Sequence, residues 1–269
     1  MRHLAKFAGL GLLAASALAT PALAHRQWML PSATVLSGDA PWVTVDAAVS
    51  NDLFYFEHVP LRLDSLAVTA PDGSAAKPEN VSTGKYRSTF DLHLTQPGTY
   101  KMALLNEGVF GSYKLGGEQK RFRAMGGKLP EIPEAATDLR LSQNQGRLEI
   151  FVTSGKPSDA VLKPTGKGLE LVATTHPNNL AAGEDARFGL VLDGQPAADV
   201  EVEIVPGGNR YRSKLNDFTV KTGKDGTFTV KWPEPGMYWI SASVQDNKAT
   251  IPNATRRASY TATFEVLPQ

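Results

Sequence analysis

Histidine is the residue type in this sequence whose placement points most directly to chemistry. Five histidines occur in 269 residues, and four of them, His25, His58, His93 and His176, follow the apolar N-terminal run. Neutral imidazole is the commonest protein ligand for transition-metal ions. The sequence contains no cysteine, so a metal site in this chain has to be built without thiolate ligands.

His25 follows Ala22-Leu23-Ala24, which has the small-x-small form that signal peptidase accepts. Cleavage after Ala24 would place His25 at the new N-terminus, where its α-amine and its imidazole Nδ1 can close one chelate ring on a metal ion. The reference pKa of an α-amine is about 8. One or two further imidazoles would complete a nitrogen-rich site that suits Cu(II) or Ni(II), and also Co or Zn. We therefore predict a metal site at His25, His58 and His93.

The other histidines have local contexts that also allow a structural role. In an extended chain Phe54, Phe56 and His58 would share one face, either as core or as a pocket wall with His58 at its rim. His93 would share a strand face with Asp91. His176 precedes a proline and is interpreted as a residue that caps a turn.

Residues 1–24 have the composition of a secretory signal peptide. Arg2, His3 and Lys6 precede an uncharged apolar run from Phe7 to Ala19, which is too short to span a bilayer. We expect cleavage after Ala24 and a periplasmic mature chain without membrane insertion. Losing Arg2 and Lys6 leaves 26 basic and 27 acidic residues, and this balance without a basic run indicates no nucleic-acid partner.

The remainder of the sequence alternates apolar and polar residues in short runs separated by Pro, Gly and Asp. This pattern is typical of antiparallel strands and continues through seven short runs after residue 168, as in an immunoglobulin-like sandwich. We predict an all-β chain of two tandem β-sandwich domains, with a metal-binding N-terminal domain over residues 25–165 and an immunoglobulin-like domain over residues 166–269. A short helix is expected between Pro133 and Leu141.

A faint internal repeat links the two predicted domains. Gln96-Pro97-Gly98-Thr99-Tyr100 resembles Glu234-Pro235-Gly236-Met237-Tyr238. In β-sandwiches a tyrosine early in a late strand can bond back to the backbone of the preceding corner. The alternative is two unrelated hairpins that share common turn residues.

Nucleophilic catalysis is not indicated, so we do not expect an enzyme of that kind. The sequence has no cysteine, no Gly-x-Ser-x-Gly elbow and no Walker spacing around Gly166-Lys167-Gly168. The carboxylates of Glu201 and Glu203 share one strand face, which is more typical of a solvated surface.

The sequence resembles the DUF4198 family of secreted bacterial proteins. The resemblance covers nearly the whole mature chain and rests on the following stretches: Ala24-His25-Arg26-Gln27-Trp28-Met29-Leu30-Pro31-Ser32, Leu169-Glu170-Leu171-Val172, Thr175-His176-Pro177-Asn178, Phe188 to Leu192 with Asp193-Gly194-Gln195-Pro196, Val202-Glu203-Ile204-Val205-Pro206-Gly207-Gly208, and Asp225-Gly226 to Tyr238-Trp239.

The resemblance implies a periplasmic component of nickel or cobalt uptake, with His25 at the mature terminus of a metal-binding module. The leading hypothesis is therefore a protein that captures nickel or cobalt and supports its uptake by a membrane transporter. A second hypothesis is a copper-binding protein or oxidase with a histidine brace, which needs the same terminus and one further histidine. A third is a secreted β-sandwich that binds a carbohydrate or protein ligand, in which the histidines are incidental.

Overall fold

A computed structural model describes residues 25–125 and 129–269. The predicted signal peptide, residues 1–24, lies outside the described residues. The strands are β1 Arg26–Pro31, β2 Val35–Leu36, β3 Trp42–Ser50, β4 Val59–Pro60, β5 Leu66–Thr69, β6 Ala75–Ala76, β7 Glu79–Thr83, β8 Ser88–His93, β9 Gly98–Leu115, β10 Glu118–Met125, β11 Thr137–Ser154, β12 Leu169–Ala173, β13 Asp185–Leu192, β14 Gln195–Pro196, β15 Glu201–Pro206, β16 Phe218–Lys221, β17 Thr227–Lys231, β18 Gly236–Asp246 and β19 Ala254–Val266.

The helical content of these two ranges is limited to two single-turn 3-10 helices, Ala160–Leu162 and Asn209–Tyr211. Within the same ranges, no helix has the length and hydropathy that crossing a bilayer would need. The chain is all-β, as the alternating sequence pattern predicts.

Side-chain alternation explains why these segments form half-buried strands. In β8, Ser88, Phe90 and Leu92 are buried while the residues between them are partly exposed. The same period of two runs through β3, where Val43, Val45 and Ala47 are fully buried. Successive side chains of a strand point to opposite faces, so one face packs into a core and the other meets solvent.

The strands form three sheets that build two sandwiches. The first sheet has the order β1-β3-β8-β7, with β4 also paired to β3. The second has the order β16-β15-β18-β19-β11-β9-β5-β6, with β10 on β9 and β2 on β11. The third joins β12, β13 and β14, with β17 on β13. The second sheet runs through both sandwiches, because β11 pairs antiparallel with β9 and parallel with β19.

Two large apolar cores correspond to the two sandwiches. The first core packs β1, β3 and β8 against β5, β9 and β11, with Phe90, Tyr100 and Met102 among its buried residues. The second packs β12, β13 and β17 against β15, β18 and β19 around Phe188 and Phe264. The proposed division at residue 165 stays a prediction, since β11 contributes Val152 to the first core and Phe151 to the second.

A third, smaller cluster joins the two sandwiches. It combines Trp28, Ala48 and Leu53 from the first sandwich with Val205 and Trp239 from the second. Burial of these side chains fixes β1 against the second sheet, and β1 directly follows the predicted ligand His25.

Both proposed tyrosine corners are present. The Tyr100 hydroxyl accepts a hydrogen bond from the Gln96 backbone N–H over 2.8 Å. The Tyr238 hydroxyl donates to the Glu234 carbonyl oxygen over 2.8 Å and accepts from the Glu234 N–H over 3.3 Å. These contacts confirm that the repeated Pro-Gly-x-Tyr segment has one structural role in each sandwich.

The expected short helix between Pro133 and Leu141 is wrong. Residues 134–135 form a turn, and β11 begins at Thr137. Thr137 pairs with Lys114 of β9, and Arg140 pairs with Ser112. Pairing with a neighbouring strand outweighs a weak helical preference over so few residues.

Candidate functional site

His25 and His58 lie together at one end of the first sheet. Their imidazole rings stack with centroids 3.8 Å apart and planes 4° from parallel. His25 directly precedes β1 and His58 directly precedes β4, and both strands pair with the C-terminal end of β3. The register, in which Arg26 faces Ser50 and Val59 faces Val49, brings the two exposed side chains to the same corner.

The loop that presents His58 is held by its own hydrogen bonds. Glu57 Oε1 accepts from the backbone N–H groups of Asn51 and Asp52 over 2.7 and 2.9 Å. Ser50 Oγ donates to the Asp52 carbonyl and accepts from the Trp28 indole N–H over 2.8 Å. These contacts tie the loop to β1 and β3, so the position of His58 relative to His25 is determined by the sheet.

The aromatic residues of this loop pack against β1 rather than forming an extended strand. Phe54 meets the Trp28 ring edge-on with centroids 5.5 Å apart, and Phe56 lies 5.6 Å from it at a tilt. Phe54 has a left-handed backbone conformation, with φ of 62°. The expected single face shared by Phe54, Phe56 and His58 is therefore replaced by a compact loop that covers Trp28.

His93 lies at the opposite end of the same sheet and does not join the pair. It faces Trp42 at the start of β3, with the two rings stacked 4.4 Å apart, and its Nε2 lies 3.1 Å from the Ala40 carbonyl oxygen. From Trp42 to Ser50 a strand extends about 26 Å. The antiparallel register thus separates the third predicted ligand from the other two, and the three-histidine site is corrected to a pair.

His176 lies at the junction of the two sandwiches. Its Nδ1 accepts a hydrogen bond from the Asn178 backbone N–H over 3.0 Å, as a turn cap requires. Because a backbone N–H can only donate, the neutral ring carries its proton on Nε2, which lies 3.0 Å from Thr99 Oγ1. Burial lowers the pKa of His176 below its usual value.

An open cleft of about 850 Å³ begins at His25 and crosses the exposed face of the second sheet. At its mouth the Arg26 guanidinium bonds Glu203 Oε1 over 2.9 Å and lies 5.4 Å from the centroid of the Trp239 ring. The Trp239 indole N–H donates to the Gln27 carbonyl over 2.9 Å. Other lining residues include Glu107, Phe110, Arg123, Met125, Asn144, Asp217 and Arg257.

The donors present fit a transition-metal ion only in part. Within residues 25–125 and 129–269, no group of three or more His, Cys, Asp or Glu side chains is arranged to hold an ion. The ligating lone pair of an imidazole lies in the plane of its ring, so stacked rings do not point at one common position. Turning one ring about its side-chain torsions would direct both His25 and His58 towards one ion, and the His25 amine would supply a third nitrogen after cleavage.

A family model described as "Domain of unknown function (DUF4198)" matches residues 22–246. The chain belongs to the DUF4198 family. Membership in this family confirms the resemblance seen in the sequence. The description of the family says nothing about a metal ion, a partner or a cellular compartment. No curated protein matches this DUF4198 chain.

Several solved structures are similar to the DUF4198 chain at low identity. The D0-D1 domain of Intimin shares 14% identity over 88% of this chain and 97% of that chain, with a TM-score of 0.22. The FN1-FN3 domains of chicken CNTN1 share 8% identity over 89% of this chain and 97% of that chain, with a TM-score of 0.24. At these TM-scores the similarities support no inference about the function of the DUF4198 chain.

The sequence did not predict the cleft that begins at His25. The cleft depends on β9 and β11 being 18 residues long and on β10 adding a further strand beyond them. A weak signal existed in the alternation of Arg121 and Arg123 with Phe122, since Arg123 lines the cleft. The parallel pairing of β11 with β19 joins segments more than 100 residues apart, and no local pattern indicates it.

Proposed function

We propose that this protein is an exported transition-metal-binding protein that captures Ni(II) or Co(II) and passes it to a membrane transporter. The ligands are the α-amine and imidazole of His25 together with the imidazole of His58. The observation that carries the proposal is the stacking of these two rings at 3.8 Å, although 32 residues separate them in the chain.

Nitrogen ligands of this kind suit divalent ions late in the first transition series. The site is solvent-exposed and supplies few ligands, so an ion would retain positions for water or for the ligands of an acceptor. Such a site supports capture and release better than permanent retention. Nickel and cobalt are favoured among these ions by the resemblance carried by the segment from His25 to Ser32.

Calorimetric titration of Ni(II) into the chain that begins at His25 tests the proposal. We expect one equivalent to bind, with at least tenfold weaker affinity when the α-amine of His25 is acetylated, because the amine becomes an amide. His58→Ala should weaken binding by a similar factor, about 1.4 kcal/mol or more. Mass spectrometry of the exported protein should show His25 as the first residue.

His93→Ala is the matched control, since it removes one imidazole from the far end of the same sheet. Its affinity for Ni(II) should equal that of the unmodified chain. Equal affinities of the acetylated and unacetylated chains would contradict an amine ligand, and a His58→Ala variant that binds normally would contradict the pair.

The cleft beside His25 favours a second candidate function, a copper-dependent oxidase. A copper ion held by the same three nitrogens would face a space of about 850 Å³ that can admit an organic substrate. Copper-loaded protein incubated with ascorbate and peroxide should then oxidise a substrate that enters the cleft. Tight copper binding without turnover would leave metal capture as the function.

A further inference from the structure

Six of the twelve arginines of the described chain pair with carboxylates, and four of the other six lie on one surface. Arg26, Arg62, Arg87, Arg147, Arg210 and Arg256 have carboxylate partners. Among the described residues, Arg121, Arg123, Arg140, Arg187, Arg212 and Arg257 have none. Arg187 lies on β13, and Arg212 donates to the backbone carbonyls of Pro206 and Gly207. The other four lie on one face of the second sheet, on β10, β11 and β19.

The strand register places these guanidinium groups side by side. Arg121 of β10 and Arg140 of β11 both pair with Ser112 of β9, one from each side. Residues directly opposite each other share a face, so the two arginines flank Ser112 with Cα atoms about 10 Å apart, two interstrand spacings. Arg123 lies two residues along β10, on the same face as Arg121.

The surface between Arg121 and Arg140 is concave. It forms a depression of about 350 Å³ lined by Ser112, Lys114, Gln119, Arg121, Asp138 and Arg140. The one carboxylate there, Asp138, is bound by Lys114 over 2.7 Å. This ion pair lowers the pKa of Asp138. Arg123 and Arg257 lie in the adjoining cleft, so positive charge continues from the depression into it.

Protection of a sheet edge does not account for this cluster. Charged side chains commonly prevent edge strands from pairing with other chains, and β10 is such an edge. Arg257, however, lies on β19, which is paired with β11 on one side and with β18 on the other. Arg140 lies on β11, one residue before the pairing of that strand with β19 begins at Leu141. Four positive charges gathered on one face repel one another, and an anionic ligand would offset this repulsion.

We propose that this face binds a small polyvalent oxyanion of the carboxylate or phosphate class. Arg121 and Arg140 hold two oxyanion groups of the ligand across Ser112, and Arg123 and Arg257 extend the site into the cleft. Guanidinium groups match the planar geometry of carboxylate and phosphate oxygens and form paired charge-assisted hydrogen bonds with them. Three acidic residues line the cleft. Glu203 of β15 and Asp217 just before β16 lie towards the other end of the sheet, and Glu203 is bound by Arg26. Glu107 lies on β9.

Titration of metal-free protein with citrate and, separately, inorganic pyrophosphate tests this site by amide chemical shifts and calorimetry. We expect saturable shifts in β10 and β11 with at least one probe. The responding probe identifies the ligand class. Arg121→Gln/Arg140→Gln should weaken binding at least tenfold, and raising the salt concentration from about 20 mM to about 200 mM should weaken binding to the unmodified chain.

Lys120→Gln/Lys231→Gln is the matched control, because it removes the same charge from exposed positions outside the cluster. The control should bind like the unmodified chain, and the arginine variant should unfold at the same or a higher temperature because repulsion is relieved. No response to either probe, or equal weakening in both double variants, would overturn the proposal. Binding only to phosphatidylglycerol vesicles would also overturn it and would assign the arginines to a membrane surface.

Because the titration contains no metal, its result is independent of the nickel experiment. If no anion binds to the arginine cluster, the proposed metal site at His25 and His58 is unaffected. If Ni(II) does not bind to the two histidines, the proposed anion site is unaffected.

Discussion

His176 shows how the role of a histidine follows from what surrounds it. Its neutral ring continues a chain of hydrogen bonds through Thr99 and Thr153 to the Asn178 side chain, which in turn donates to the Phe151 carbonyl. These residues belong to β9, to β11 and to the segment after β12, so the chain of hydrogen bonds joins the two sandwiches. A protonated ring would have no lone pair at Nδ1 to accept the Asn178 N–H.

The stability of the protein should therefore depend on the protonation of His176. Burial lowers its pKa in the folded protein, whereas the unfolded chain protonates at about pH 6.5. The contribution of the neutral ring is fully present above pH 6.5 and decreases as the pH falls from there towards the folded pKa. Urea unfolding at about pH 7.5 and about pH 5.5 should show this loss.

His176→Gln removes the titrating group and should reduce the difference in unfolding free energy between the two pH values. Between about pH 7.5 and about pH 8.5 the variant and the unmodified chain should show the same dependence, because the folded and unfolded histidine are both neutral there. An unchanged difference between the acidic and neutral conditions in His176→Gln would show that other groups cause it.

At the scale of elements, the two tyrosine corners are the clearest case of local sequence specifying local structure. Gly98 and Gly236 precede the tyrosines with φ of 121° and 143°, a region that side-chain-bearing residues rarely adopt. Each glycine lets the chain turn into a strand, β9 or β18, and the tyrosine hydroxyl then fixes the corner. The neighbouring Pro residue stiffens the turn before each strand.

Removing either hydroxyl should cost about 1 kcal/mol of unfolding free energy, since a partly buried hydrogen bond is lost without a change in packing. Tyr100→Phe and Tyr238→Phe should be destabilised by similar amounts in urea titrations. Tyr86→Phe, at a tyrosine with 43% of its surface exposed, serves as the control and should not change stability. Unchanged stability of both corner variants would contradict a shared structural role.

Across the whole molecule, the small cluster between the sandwiches connects the core to the candidate metal site. Trp28 is fully buried and donates its indole N–H to Ser50, and the loop that carries His58 packs on its ring. Trp239 reaches from the second sandwich to the Gln27 carbonyl. The relative positions of His25 and His58 therefore depend on packing that involves both halves of the chain.

Trp28→Ala should destabilise the protein by about 3–5 kcal/mol, because it opens a large cavity in this cluster. It should also weaken Ni(II) binding, since the loop would lose the surface that positions His58. Trp42→Ala is the matched control on the same sheet, where the tryptophan is 48% exposed. Calorimetry and thermal unfolding should show small changes in the control, and a Trp28→Ala protein with unaltered nickel affinity would contradict the coupling.

The sequence by itself determined the all-β class and the positions of strands such as β3 and β8, and it offered the two tyrosine corners as one of two interpretations. Period-two burial and Pro-Gly turns are encoded by residues near one another, so short stretches of sequence are sufficient to predict them. It also singled out His25 and His58 as residues of interest through their types. It could not exclude His93 from the metal site, because only the register between β8 and β3 shows that His93 lies at the end of β3 away from His25 and His58.

Only the tertiary structure decided that His25 and His58 stack, that His93 lies at the opposite end of the sheet, and that four arginines without carboxylate partners share one face. Each of these facts depends on antiparallel or parallel register between segments tens to hundreds of residues apart. Register is determined by the packing of whole sheets and by the burial of residues such as Trp28 and Trp239. The free energy that selects it belongs to the assembled core and is not present in any single segment.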